Sequence, residues 1–361
     1  MLVITVMVAV NPSHRSVTGV YHKAVQDWMG DKSLYDGFNY HYPPQFALLF
    51  APFHFLPSPV GDVLWRLVCA LLLVSGLWRL CEVCAVGDAS RAFLWATIAS
   101  VPLSMPALRN GQANALMAGL FLHAAASVIR KEWGRAVLAL VIACAVKELG
   151  VVFVLLAVVM YAPLRWRLAA GIAAAVAFPF LFANYSYVIK EYIEAIQHLR
   201  ACATVTENRF ADIGQMARTL GLDLSTAVSQ CLRVFAGFGT LAAWWFGGRR
   251  VHEPMRGMWL YALVTSYLMV FNPMTEANSY VILAPAMGCW AAWALGDGEK
   301  RTAGWVIAGM ALSMGLLPNL LRPFFGNSFA LFWHPMMAIV FVVIVGAWVF
   351  RPSPLDLAAN E

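Results

Sequence analysis

What most constrains this chain is a succession of long apolar runs joined by short linkers rich in lysine and arginine. Such runs occupy residues 59–83, 91–105, 114–128, 167–183, 227–246, 257–271, 279–295, 302–317 and 331–350. About 20 apolar residues carry a helix across the hydrocarbon core of a bilayer. The composition agrees: 61% of residues are hydrophobic, 12% are charged and the mean hydropathy is +0.69, whereas soluble domains carry roughly a quarter charged residues. The expected fold is therefore an all-α polytopic membrane protein, a single integral membrane domain over 1–361, with about 10–12 transmembrane helices.

The net charge of +6 is not the footprint of a nucleic-acid-binding protein. Its carriers sit in the linkers: Arg130, Lys131 and Arg135; Arg165 and Arg167; Arg249, Arg250 and Arg256; Lys300 and Arg301; and Arg351. By the positive-inside pattern these linkers are cytoplasmic, which predicts a multi-pass protein of the cell (inner) membrane. The apolar run at 1–10 is too short to cross, and it lacks the charged start and cleavage site of a secretory signal. It reads as the outer half of a first helix.

The segment 136–161 is too long for one untilted crossing and too short for two, and Lys147-Glu148 splits it. The orientation of the linkers is consistent only if this segment is a hairpin of two short helices with Lys147 and Glu148 at its outer tip. Non-helical backbone at such depth survives where it is buried in protein or lines a cavity. With that topology nearly every unexplained polar residue falls on the outer face, where loops 11–59 and 184–225 would form a catalytic cap facing the periplasm or exterior. Both loops carry helical apolar stripes: Val17, Val20, Tyr21, Val25 and Trp28, with Gly30 as a stop, and Tyr185, Val188, Ile189, Tyr192, Ile193, Ile196 and Leu199. Interfacial helices have this pattern.

Ionisable residues near membrane depth point to function. Lys147 has the compact charge that suits a phosphate, with Glu148 beside it; a mutually satisfied pair at a helix break is the structural alternative. Arg109-Asn110-Gly111-Gln112-Ala113-Asn114 offers a guanidinium and amides at the mouth of a helix, and ordinary capping by Asn110 leaves Gln112 and Asn114 unexplained. Asn272–Asn278 is a turn by composition, yet Glu276 within it needs a partner or a task. Tyr40-His41-Tyr42-Pro43-Pro44 suits both an aromatic belt and a platform for a sugar. Asp31, Asp36, Glu148 and Glu276 are the carboxylates placed to act as a base, and Arg15 or Arg109 can assist Lys147 on a phosphate. No His-x-x-x-His pair occurs among His14, His22, His41, His54 and His198, so no metal is expected. The seven cysteines read as packing residues, and Cys81-x-x-Cys84 lacks the second pair that a zinc site needs.

The residues Tyr21-His22-Lys23-Ala24-Val25, Trp28, Gly30, Leu34-Tyr35, Phe38, Tyr42-Pro43-Pro44, Ala47-Leu48-Leu49, Pro52 and Leu56-Pro57 resemble the opening signature of glycosyltransferase family 87. Asn110–Asn114 resembles the next motif of that family, and Lys147 ahead of Arg165-Trp166-Arg167 a third. Asn208-Arg209 with Leu220-Gly221, and 272–285, fall where looser motifs occur. The resemblance covers about Val17 to Pro285. It implies a type C glycosyltransferase fold and an outer-face active site. The implied reaction moves a mannose-like hexose or a pentose from a polyprenyl-phosphate donor to an envelope glycolipid or glycan, with inversion and no cofactor. The implied partners are membrane lipid, the lipid-linked sugar and the acceptor. By location, Glu276, Asp36 or Asp31 would be the catalytic residues of such an enzyme, and Arg15, Tyr42, Arg109, Asn110, Gln112, Asn114, Lys147, Glu148, Asn208 and Asn278 its substrate-binding residues. The sequence departs from the family where an Asp usually precedes the Y-x-x-A stretch: Arg15 to Thr18 contain no acid, and Glu276-Ala277-Asn278 stands where the family usually offers a His. The competing expectations are a transport or flippase-type protein that binds lipid-linked sugar, for which no inverted repeat is found, and a non-catalytic assembly subunit.

Overall fold

The computed structural model describes residues 16–37, 39–203 and 210–351; the run at 1–10, Arg15 and Asn208 lie outside them. Among the described residues the chain is helical throughout, with one isolated bridge, Phe210 to Glu276. Two short helices come first, α1 (Thr18–Met29) and α2 (Pro44–His54). The long ones follow as α3 (Ser58–Cys84), α4 (Ala89–Arg109) and α5 (Ala113–Ile129). Next come α6 (Trp133–Val146), α7 (Gly150–Met160), α8 (Arg165–Ala177), α9 (Tyr185–Cys202) and α10 (Ile213–Thr219). The last five are α11 (Thr226–Gly248), α12 (Met255–Phe271), α13 (Ala284–Gly296), α14 (Arg301–Phe325) and α15 (Ser328–Phe350). Short 3-10 segments flank α8 and lead into α13 at Ala277–Ile282.

Five segments are long and apolar enough to cross a membrane by those criteria alone: Ser58–Cys84, Ala162–Leu181, Ala277–Gly296, Arg301–Phe325 and Ser328–Phe350. Helices α4, α5, α11 and α12 enclose the remaining predicted apolar runs. Helices α5, α12 and α13 are buried nearly all round and form the centre of the bundle. Around them α8, α11 and α14 turn Val176, Val234, Phe235, Phe238 and Leu320 outward, an apolar surface suited to lipid.

The awkward segment 136–161 is a hairpin. Lys147 is extended (φ −157°, ψ 144°) and ends α6, and the chain turns at once into α7. The ring of Trp133, which opens α6, lies 6.1 Å from that of Tyr161, which closes α7. A Cβ on Gly150 would stand 2.7 Å from the Cys144 backbone nitrogen, so the two arms touch from the turn onward. At 1.5 Å per residue the arms are about 21 and 17 Å long, short of the roughly 30 Å hydrocarbon core. Lys147 and Glu148 therefore sit inside the protein's thickness.

The two ends of the bundle differ in chemistry. At one end Arg130 pairs with Glu82 (2.8 Å) and Arg79 with Glu132 (2.6 Å), Tyr161 donates to Glu253 (2.7 Å), and Arg250 donates to the Phe350 carbonyl (3.1 Å). The basic linkers gather here, with Lys300 paired to Asp297 at 3.2 Å. The opposite end holds α1, α2, α9, α10, the hairpin tip and the 272–276 turn.

Helix α9 lies across that second end. Its inward residues are Val188, Glu191, Ala195, His198 and Cys202, whereas Ile189, Ile193, Ile196 and Leu199 of the apolar stripe are 37–53% exposed. A helix that points acids at protein and isoleucines outward is built for the membrane interface. Glu191 is fully buried, and one carboxylate oxygen accepts from the Leu34 N–H at 3.0 Å. Burial, opposed by that hydrogen bond, pushes its pKa up to about 7.

Two measurements of thermal unfolding on the detergent-solubilised chain test this packing. The widest helix contact is α3 on α5, where a Cβ on Gly119 would lie 2.7 Å from the Leu72 carbonyl carbon. Gly119→Val is expected to cost about 1–3 kcal/mol and lower the melting temperature, while Gly239→Ala, whose Cβ meets nothing within 4 Å, does not. For Glu191, a raised folded-state pKa means that the folded chain holds the proton more tightly. Its contribution is complete below about pH 4.5 and is lost as the pH rises through about 7. Glu191→Gln should remove that portion of the pH dependence; an unchanged profile would show that the carboxylate is not buried.

Candidate active site

The site is built from the Arg109–Asn114 turn upward. Each of the turn's first three carbonyls has its own donor. The Arg109 carbonyl accepts from Arg66 Nε (3.2 Å), that of Asn110 from the Val17 N–H (2.9 Å) and that of Gly111 from Trp65 Nε1 (2.8 Å). Gly111 has φ +67°, and a Cβ there would strike Thr18 and the Arg66 guanidinium, so the turn needs glycine. Arg66 is 1% exposed and also donates to the Asp62 carbonyl (2.9 Å) and Ser16 Oγ (2.8 Å). Asp62 in turn contacts His22 (3.3 Å), whose other ring nitrogen lies 3.0 Å from His54.

A turn held in this way presents Gln112 and Asn114 at the head of α5. Gln112 Nε2 donates to Glu276 Oε2 at 3.2 Å. Asn114 Nδ2 donates to Ser279 Oγ at 3.0 Å, and its Oδ1 accepts from Lys147 Nζ at 3.4 Å. The ammonium of Lys147 stands 5.7 Å from the centre of the Tyr42 ring, within cation–π range. The Tyr42 hydroxyl lies 2.8 Å from that of Tyr21, which accepts from the Ala113 N–H at 3.2 Å. Burial raises the Tyr42 pKa, the hydrogen bond with Tyr21 lowers it, and the carboxylates of Glu148 and Glu276 both raise it further. Two acids, one cation, two amides and a phenol thus share one neighbourhood, contributed by the opening loop, α5, the hairpin tip and the 272–276 turn.

The 272–276 turn is tied to the second loop. The Ala211 N–H donates to the Thr275 carbonyl (2.6 Å), and the buried Tyr280 hydroxyl donates to that of Ala211 (2.8 Å). Glu276 and Asn278 are half-buried beside it. Several buried side-chain atoms here have no hydrogen-bond partner among the described residues: Gln112 Oε1, Asn110 Oδ1, Glu148 Oε2 and Arg109 Nε. Orphaned polar atoms are costly in an apolar interior, and their clustering marks a place where a polar ligand would be bound.

Other expected residues are placed elsewhere. Asp31 and Asp36 are exposed; Asp36 adds to the raised pKa of Glu191, and Asp31 to that of Tyr187. Arg15 and Asn208 lie outside the described residues. The Asp62–Arg66 pair and the His22–His54 contact support the turn, yet none of these four is singled out by the sequence reading. The signal was present, because Asp62 and Arg66 form an ionisable i,i+4 pair within an apolar run.

Next to Tyr42, a small cavity of about 40 Å³ is lined by Tyr35, His41, Glu148 and His198. It has room for a water or a small ion, not for a sugar. A larger groove, about 310 Å³, lies at the basic end among Asp88, Arg91, Trp95, Arg301 and Trp305. It offers no amide cluster, and its carboxylate, Asp88, caps α4, so the orphaned-atom cluster is the better candidate.

The sequence pattern of glycosyltransferase family 87 matches residues 40–273, nearly two thirds of the chain. The match takes in Tyr42, Gln112, Asn114 and Lys147 and ends just before Glu276. No match is found among curated proteins or among solved structures. With the match extending over more than half of its length, the chain belongs to glycosyltransferase family 87.

Proposed function

We propose that this membrane glycosyltransferase draws its sugar, a mannose-like hexose or a pentose, from a polyprenyl-phosphate donor. The acceptor is an envelope glycolipid or glycan, and transfer takes place on the membrane face opposite the basic linkers. One observation carries the reading: Lys147, at the tip of a hairpin too short to cross, contacts Asn114 and the Tyr42 ring, and Gln112, two residues before Asn114, holds Glu276 near the same tyrosine. A lipid-linked phosphate approaches from the bilayer, and a cation held inside the protein's thickness at this end is where such a phosphate needs its counter-charge.

In the reaction the bond between the anomeric carbon and the phosphate oxygen breaks, and a bond from that carbon to the acceptor's hydroxyl oxygen forms. The hydroxyl proton passes to a carboxylate. Lys147 holds the departing phosphate, where a fixed positive charge lowers the barrier most, and Arg109 assists it. Glu276 takes the proton, oriented by Gln112. The free lone pairs of Gln112 Oε1 and Asn110 Oδ1 accept from sugar hydroxyls, with Asn114 and Tyr42 alongside.

Transfer of labelled sugar from polyprenyl-phosphate donors by the purified full chain in nanodiscs tests this. Glu276→Gln should lower kcat by about 10²–10⁴-fold, and Lys147→Ala by about 10²–10³-fold. Asp36→Asn, on the exposed surface, should stay within about twofold. Full turnover in Glu276→Gln together with collapse in Asp36→Asn would move the base to the opening loop. Tight binding of donor without turnover in the wild type would favour a lipid-linked-sugar binding protein.

A further inference from the structure

The cap contains a cluster for which sugar transfer has no use. His41 Nδ1 lies 2.8 Å from His198 Nε2 and 3.5 Å from Cys202 Sγ, and the three ligand atoms fall within 4.8 Å of one another. His198 and Cys202 are buried and His41 half-buried. The three groups come from two distant segments. His198 and Cys202 are one helical turn apart on the inward face of α9, and His41 is contributed by the opening loop.

The spacing is close to that of a coordination polyhedron. With metal–nitrogen bonds of about 2.05 Å and metal–sulfur bonds of about 2.3 Å, tetrahedral geometry separates two nitrogens by about 3.3 Å and a nitrogen from a sulfur by about 3.6 Å. The His41–Cys202 separation of 3.5 Å fits such an edge, and the His41–His198 separation of 2.8 Å is about half an ångström short of one, an opening that rotation of the imidazoles supplies. The adjoining cavity of about 40 Å³ is lined by His41, His198 and Glu148, and Glu148 Oε2 is buried with no hydrogen-bond partner among the described residues. A fourth position thus opens onto a space with room for a water and with a carboxyl group in its wall.

We propose that His41, His198 and Cys202 bind a divalent transition metal of the zinc class, clamping α9 onto the opening loop next to Tyr42. Two imidazoles and a thiolate suit such an ion and are poor ligands for magnesium or calcium, which take oxygen. The sequence carries half of the signal. A search for His-x-x-x-His pairs passes over His198-x-x-x-Cys202, which has the same i,i+4 spacing, and nothing local connects either residue to His41.

The full chain in detergent is loaded with zinc, freed of loose metal by gel filtration over a weak chelator, and assayed for bound zinc by mass spectrometry; a parallel sample is loaded with cobalt(II). One zinc per chain is expected, together with a thiolate-to-cobalt charge-transfer band and a higher melting temperature than the metal-free protein. Cys202→Ser, a nearly isosteric change, should abolish the band and the melting shift while leaving the metal-free melting temperature in place. His198→Ala should lose the stoichiometric zinc. The proposal is overturned if the wild type retains much less than one zinc per chain. It is equally overturned if the cobalt band persists in Cys202→Ser, which would place the metal on one of the other six cysteines.

Discussion

The architecture depends on one break in the chain. At Lys147 the helix stops, the backbone becomes extended, and two ionisable side chains stand where lipid would otherwise be. A break at that depth requires protein on every side. Its own hydrogen bonds are closed locally, Gly150 N–H to the Lys147 carbonyl (3.1 Å) and Val151 N–H to that of Glu148 (3.0 Å). The side chains cannot close locally. Lys147 needs Asn114 and the Tyr42 face, and Tyr42 needs Tyr21, which in turn anchors the first N–H of α5. The opening loop is thus the cover that makes the broken hairpin tolerable, and by burying polar groups around Lys147 it places them where a fixed charge is felt strongly.

The cap is joined by side chains reaching backbone, with no strand ladder. Glu191 accepts from the Leu34 N–H, and Tyr187 donates to the Lys32 carbonyl at 2.8 Å. Gln45 reaches from α2 to the Ala175 carbonyl (3.2 Å) and the Tyr192 hydroxyl (2.6 Å). Each of these bonds spans more than a hundred residues of sequence. Such bonds fix loops that have no repeating hydrogen-bond pattern of their own, and they explain why α9 turns its acids inward: they serve as acceptors for the opening loop.

The legibility of the sequence follows the range of the interactions involved. Crossing helices are local and periodic, so runs such as 59–83 and 331–350 became α3 and α15 with ends shifted by a few residues. The hairpin was legible because Lys147-Glu148 offends a local rule so strongly. The apolar stripe of α9 marked an interfacial helix and is indeed turned outward; what was not legible is which partner its inward acid Glu191 meets, because that partner lies in the distant opening loop. Contacts such as Gln112 with Glu276 or His41 with His198 link segments whose spacing encodes nothing about their meeting. Asp62 and Arg66 were legible in principle by the rule that exposed Lys147, but near the end of a long run they are easily read as the edge of the membrane.

The position of the base follows from the same geometry. The family's usual acid ahead of Tyr21 has no counterpart between Arg15 and Thr18, so a carboxylate must reach the Lys147 pocket from elsewhere. Asp31 and Asp36 sit on the solvent side of the cap, and Glu148 is adjacent to Lys147 and best placed to balance its charge. Glu276 is the acid tied to the head of α5, on a turn braced by Ala211 and Tyr280, with one oxygen held by Gln112 and the other carrying no protein hydrogen bond among the described residues. In the proposed reaction the transferring hydroxyl lies between a phosphate on Lys147 and a proton acceptor, and the proposed assignment of the missing acid's task to Glu276 rests on that arrangement.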